Sequence, residues 1–321
     1  MAIGAYVFFK THHFFLHVFL IFFLVSFVFS LRSAWAQPAG VSLKKSLWEL
    51  QQDLQYDPEI PMKGGQGEIA WFSSTTRLSW TRLQSRKLFW GLRLSYEHHR
   101  YDSQGSPSLL PEGSRALTQA FRLRAGPFLR VQWDKHWGTF LQMTPSISMA
   151  YQGDWGESFE MTTLAFASYK FSDRWSLNFG AIFFAPRVED NILVVPIIGF
   201  EGRPTSNWRF GIGEGSSGPG FYSYYRFRPD CTLKFNVDWS LREFRLAASS
   251  PIRLGSFEDM SIPVRLALEW KAPHDLTFEP YVGVRAWSRF DYLDERGHSL
   301  EVQNGEPSFF FGLIFKKAIS F

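Results

Sequence analysis

The sequence predicts a single transmembrane antiparallel up-and-down β-barrel of about 14 strands, with 12 as the smaller solution, behind an N-terminal signal peptide. Three features predict it. One short turn recurs and drops each time into an alternating apolar run. Short and long loops alternate along the chain. The chain ends on an aromatic residue preceded by apolar residues at every second position.

The turn is seen first in KFSDRWSLNF at 170–179. Trp133 is followed by DKH and Trp137, Arg203 by PTSN and Trp208, Arg228 by PDCT and Leu233, and Lys271 by APHD and Leu276. From Trp137 one parity reads Trp137, Thr139, Leu141, Met143, Pro145, Ile147 and Met149. The other reads Gly138, Phe140, Gln142, Thr144, Ser146 and Ser148. A period of two is a strand with one apolar and one polar face. In a soluble sandwich the apolar face would be internal; in a membrane barrel it meets lipid and the charged face lines the lumen.

Length and loops separate these two cases. Several runs continue past the roughly 5–6 residues usual in soluble strands and reach the roughly 9–11 needed to cross a bilayer at a tilt. The connections RLQSR, DKH, SDR, PTSN, PDC and APHD are short. They alternate with DPEIPMKGGQG, YDSQGSPSLLPEGSR, QGDWGE, PRVED, GEGSSGP, ASSPIRLGSFED and YLDERGHSLEVQNGE. Short turns on one side and longer loops on the other is the pattern of outer-membrane barrels. The strands are expected at about 47–56, 67–81, 87–100, 117–133, 137–151, 158–171, 175–186, 191–202, 208–213, 220–227, 232–248, 260–271, 276–291 and 307–321. No linker divides residues 37–321 into two domains.

Residues 14–31, FFLHVFLIFFLVSFVFSL, follow Lys10 and precede AWA-Q at 34–37. That is a basic n-region, an apolar h-region and a small-x-small site, so 1–36 is expected to be a cleaved signal peptide and the protein to be exported to a Gram-negative-type envelope. Without those residues the chain keeps 32 of its 34 basic residues against 30 acidic ones, so the pI of 9.1 does not point to nucleic acid. A mean hydropathy of −0.14 excludes a helical membrane bundle, while 34 Phe and 13 Trp suit strands apolar on one face with aromatic belts. Cys231 stands alone, so no intrachain disulfide forms.

The ending FFFGLIFKKAISF places Phe309, Phe311, Leu313, Phe315, Ile319 and Phe321 on one parity. It resembles the C-terminal signal by which barrels are delivered to the barrel-assembly machinery, with Phe321, Ile319 and Phe315 carrying the resemblance. Lys317 departs from it as a charge on the lipid row. From about Leu88 onward the chain also resembles uncharacterised bacterial outer-membrane barrels known as a domain of unknown function. The stretches DRWSLNFG, VVPIIGFEGRPTSNWRF and FYSYYRFRPDCTLKF carry that likeness. It implies location in the outer membrane and a barrel fold, and brings no activity.

No catalytic, cofactor or metal site is expected. After cleavage His98, His99, His136, His274 and His298 remain, none at a metal-site spacing. His298-Ser299 lacks an assured orienting group for nucleophilic catalysis. GIGEGSSGPG has neither the P-loop Lys nor a following helix. The candidate functional residues are instead inward charges. Arg93, Arg122, Arg124, Arg130, Arg265, Arg285 and Arg289 are expected to line the pore, with Arg77 and Lys234 also basic there. Glu97, Glu160, Asp238, Glu269 and Glu279 oppose them. Inward aromatics such as Phe89, Phe128, Phe140, Phe166, Phe184 and Tyr281 would fill part of the lumen. The expectation is a small-solute pore with mild anion preference, surrounded by outer-membrane lipid. The alternatives are a closed structural or surface-interaction barrel, in which these charges pair across strands, and an outer-membrane lipid-modifying enzyme.

Overall fold

The computed structural model describes residues 45–63, 67–104, 117–151, 158–185, 192–214, 219–247, 250–252 and 254–320. The proposed signal segment and Phe321 lie outside them. The strands are β1 (Lys45–Pro61), β2 (Glu68–Leu83), β3 (Leu88–Gln104), β4 (Gln119–Gln132), β5 (Trp137–Ala150), β6 (Phe159–Lys170), β7 (Trp175–Ala185) and β8 (Leu193–Gly202). They continue with β9 (Trp208–Glu214), β10 (Pro219–Arg228), β11 (Cys231–Asp238), β12 (Ser240–Arg245), β13 (Ser256–Ala272), β14 (Leu276–Leu293), β15 (Ser299–Gly305) and β16 (Ser308–Ser320). There is no helix among the described residues.

The recurring short turns share one device. Asp134 Oδ1 accepts the amides of His136 and Trp137 at 2.7 and 2.8 Å. Ser172 Oγ accepts those of Arg174 and Trp175, and Thr205 Oγ1 that of Trp208. Ser85 does the same for Lys87 and Leu88. A short polar side chain thus satisfies the amides that the reversal leaves unpaired. The Trp137 and His136 amides hold the Asp134 carboxyl below the usual carboxylate range. Between β13 and β14 the reversal passes instead through left-handed backbone at His274 (φ 63°) and Asp275 (φ 58°), residue types that tolerate it.

Antiparallel pairing runs without interruption from β1 to β11, passes to β13, β14 and β16, and closes from β16 onto β1. The result is the closed 14-stranded barrel expected from the sequence. Closure matters because an open edge in hydrocarbon leaves backbone groups without partners. Outward parity carries Trp48, Leu50, Trp90, Leu92, Leu94, Leu123, Trp137, Leu177, Phe179, Leu266, Leu268, Val282, Phe309 and Phe311, all exposed. That apolar band makes this a membrane-facing surface. Leu141 shares the outward face, yet it is buried beneath Leu129 and Ala165 at the floor of a shallow depression. Lys317, the charge on the lipid row, bonds the turn carbonyl of His274 and so stays at the interface.

Two strands exceed the expected fourteen. The run 232–248 breaks at Trp239 into β11 and β12. The loop 292–306 contains β15, which pairs with the upper part of β14. β12 leaves β10, stays paired with β13, and leans across to meet β5 through a parallel Arg245–Met149 bridge. On the far side β15 reaches β1 through a Met62–Gly305 bridge. Above the main barrel there is therefore a smaller ring of β1 to β5 and β12 to β15. Its interior is solid: Ile60, Trp71, Tyr101, Phe244, Leu246, Phe257 and Phe290 form one buried apolar cluster. It caps one side of the lumen.

Candidate functional site

The inner wall divides into three regions. The first is basic. Cross-strand register sets Arg77 on β2, Ser95 on β3 and Arg124 on β4 side by side, with Arg93 two residues nearer the inner turns. Arg130 lies further down β4, its guanidinium 5.4 Å from the Phe89 ring centre, and Arg93 lies 5.7 Å from that of Phe128. Glu97 is the acid of this wall, 3.3 Å from Arg124. Among the described residues no carboxylate lies within ion-pair distance of Arg77, Arg93, Arg122 or Arg130. Of the arginines expected on the inner face, Arg93, Arg124 and Arg130 stand on this wall, while Arg122 turns to Ser148 and the Glu243 carbonyl.

The second region, across the lumen, is charged but internally neutralised. Lys234 on β11 contacts Glu269 on β13 and lies 2.8 Å from Glu279 on β14, and Lys316 on β16 is 2.9 Å from Glu279. Glu201 on β8 is held by Arg209 at 2.7 Å, by Arg203 at 2.8 Å and by the Tyr222 hydroxyl at 3.2 Å. Lys316, Arg209 and Asp53, which accepts the Tyr281 hydroxyl at 2.8 Å, belong to the inner wall but escaped the sequence reading. Lys316 was findable: it alternates with the lipid row of β16.

The third region is apolar. Phe128, Phe140 and Phe166 stack along the inner face of β4 to β6, with centroids 6.3 and 5.0 Å apart. Register continues the face through Leu164 and Ile182 to Val195 and Ile197. Of the inward aromatics expected from the sequence, Phe128, Phe140, Phe166 and Phe184 lie here, while Phe89 stands beside Arg130 and Tyr281 beside Asp53.

Arg285 and Arg122 serve the cap. Arg285 is buried, donating to Asp57 at 2.6 and 2.9 Å beneath the Trp71 ring. Arg122 donates to Ser148 Oγ and to the Glu243 carbonyl, both at 3.1 Å, tying β4 and β5 to β12. Arg265 lies 5.0 Å from the Tyr281 ring centre. Arg289 stands elsewhere than alternation places it. The register slips by one residue between Ile262 and Pro263, so β14 bulges at Ala286. Every side chain above the bulge changes face. Arg289 therefore faces outward with Trp287 and pairs with Asp291 at 2.6 Å.

No group of three or more His, Cys, Asp or Glu that could hold a metal ion occurs among the described residues. His298 and Ser299 do not form a nucleophile and base. Ser299 donates to Asp291 at 2.6 Å, while His298 contacts Asp294. Of the terminal assembly signal, Ile319 is exposed on the outer face and Phe315 is half-buried there; Phe321 falls outside the described residues.

No protein-family model matches the chain, and no curated protein matches it. Among solved structures it is similar to a mutant of the TodX monoaromatic hydrocarbon channel, with a TM-score of 0.48 and 8% identity over 87% of this chain and 91% of that one. An outer-membrane channel from Pseudomonas putida F1 gives 0.45 and 11% over 88% and 100%. A Pseudomonas aeruginosa FadL homologue gives 0.39 and 9% over 90% and 93%.

Proposed function

We propose that the protein is a channel of a Gram-negative-type outer membrane that passes small solutes and prefers anions. The observation that carries this reading is the asymmetry of the inner wall. Opposite β2 to β4, Glu201, Glu269 and Glu279 are each engaged by cations of their own, whereas among the described residues Arg77, Arg93 and Arg130 have no carboxylate within ion-pair distance. Fixed charge on a low-dielectric wall acts on permeating ions at close range and is screened less than surface charge. In planar bilayers under a salt gradient, the reversal potential is expected to report anion preference. Arg77→Glu with Arg93→Glu is expected to turn it toward cations without displacing the cap, because neither residue contacts β12. Cation preference in the unaltered protein overturns the reading.

The solid cap over β1 to β5 and β12 to β15 favours a second reading, a closed barrel with a structural or surface role. Absence of conductance under all voltages would select it. In either case the last strand is proposed to be the signal read by the assembly machinery. Deleting Phe321 should lower the amount in the outer membrane several-fold while export across the inner membrane continues. Unchanged membrane levels would refute that role.

A further inference from the structure

The short turns at one end of the barrel are joined into a continuous rim. The Gln132 amide donates to the Lys87 carbonyl at 2.7 Å, tying the β2–β3 turn to the β4–β5 turn. The amides of Lys170, Arg203, Arg226 and Lys271 repeat the device, donating at 2.8 Å to the carbonyls of His136, Arg174, Asn207 and Asp230. Each short turn is thereby fixed to the next. Each also presents a cation: Lys87, Lys135, Arg174, Arg203, Arg228 and Lys271 are all exposed. Beside each stands an exposed aromatic ring, in the same order Trp90, Trp133, Phe171, Trp208, Phe227 and Trp270. These rings end the outward rows of their strands, so the cations sit at the edge of the lipid-facing band. Aromatic belts of this kind lie at headgroup level.

Charge is sorted between the two ends of the barrel. Residues 84–87, 133–136, 170–174, 203–207, 228–230 and 271–275 hold eight Lys or Arg and four Asp. The long loops 57–67, 101–115, 152–157, 186–190, 213–219, 248–259 and 292–306 hold five Lys or Arg against fifteen Asp or Glu. A general need for solubility would not reverse the sign from one end to the other. Part of the basic excess is met within the protein, since Arg228 lies 3.3 Å from Asp230 and Arg203 2.8 Å from Glu201. Among the described residues no carboxylate lies within ion-pair distance of Lys87, Lys135, Lys170, Arg174 or Lys271.

We infer that this rim is a binding surface for anionic phospholipid, its cations meeting the headgroup phosphates of the leaflet on the short-turn side. The partner follows from charge complementarity and from continuity with the lipid-facing band. A phosphate just beyond the aromatic belt lies where the rim places its cations. Each Lys or Arg at an anionic membrane surface is worth roughly a fivefold gain in binding. Backbone bonds between turns hold the cations in place beforehand, which lowers the ordering cost of binding. The surface depends on the membrane placement of the barrel and not on ion passage through it.

The test uses the mature chain, residues 37–321, refolded in phosphatidylcholine vesicles. Its tryptophan fluorescence is quenched by brominated phosphatidylglycerol or by brominated phosphatidylcholine mixed into the bilayer. Phosphatidylglycerol is expected to bind at least about threefold more strongly, and high salt should remove most of that preference. Lys87→Gln, Lys135→Gln, Arg174→Gln and Lys271→Gln combined should bring the two lipids near parity. Lys63→Gln with Arg296→Gln, at the long-loop end, should leave the preference unchanged. Heat-modifiable mobility on electrophoresis verifies that each variant is a folded barrel. Equal quenching by the two lipids in the unaltered protein overturns the inference. So does a preference that survives high salt or the fourfold variant. Cosedimentation with peptidoglycan in place of any lipid preference would assign the rim to the cell wall and overturn it as well.

Discussion

Asp57→Ala is expected to destabilise the barrel by about 3–5 kcal/mol, the usual cost of leaving a buried charge without its partner. Asp57 is 0% exposed and Arg285 2%, their atoms 2.6 and 2.9 Å apart. The carboxylate is delivered by local geometry: a register shift between Asp57 and Ile60 keeps both residues on the inner face. Once it is removed, the guanidinium retains only Asp259 at 3.5 Å and the face of Trp71. Asp259 also serves Arg242 at 3.2 Å, so it cannot fully compensate. Asp57→Leu combined with Arg285→Leu should cost less than Asp57→Ala alone, because it removes both charges together. Urea unfolding in lipid vesicles measures both. An Asp57→Ala variant within about 1 kcal/mol of the parent, the ordinary worth of a single hydrogen bond, would show the pair to be dispensable.

Val282→Arg is expected to cost about 2–4 kcal/mol, the penalty for a cation at the bilayer midplane on a barrel exterior. Val282 is 60% exposed on the outer face and lies six residues above Leu276, the first residue of β14. Leu276→Arg, next to the inner turn, should cost about 0–1 kcal/mol, since the side chain there reaches the interface. The same vesicle unfolding compares them. Equal costs at the two depths would place the membrane elsewhere on the barrel.

The strands and their lipid face were determined by the sequence alone, because both follow from local chemistry. A period of two shows in any ten residues, and Asp134, Ser172 and Thr205 each close a turn with amides within three positions. The number of strands in the ring and the outward row of β16 could be read for the same reason. Arg289 shows where such reading stops. One extra residue at Ala286 inverts every face beyond it, and a bulge is decided by the partner strand, which the sequence of β14 does not contain. The cap is equally remote from local pattern. Asp57 and Arg285 meet across 228 positions, and β12 alternates like any strand while leaning out of the wall to the Arg122 and Ser148 side chains. Which arginines of the lumen stand without a carboxylate partner among the described residues depends on which strands stand opposite. Only the closed tertiary structure decides that, because ladder partners are chosen by register between segments far apart in the chain.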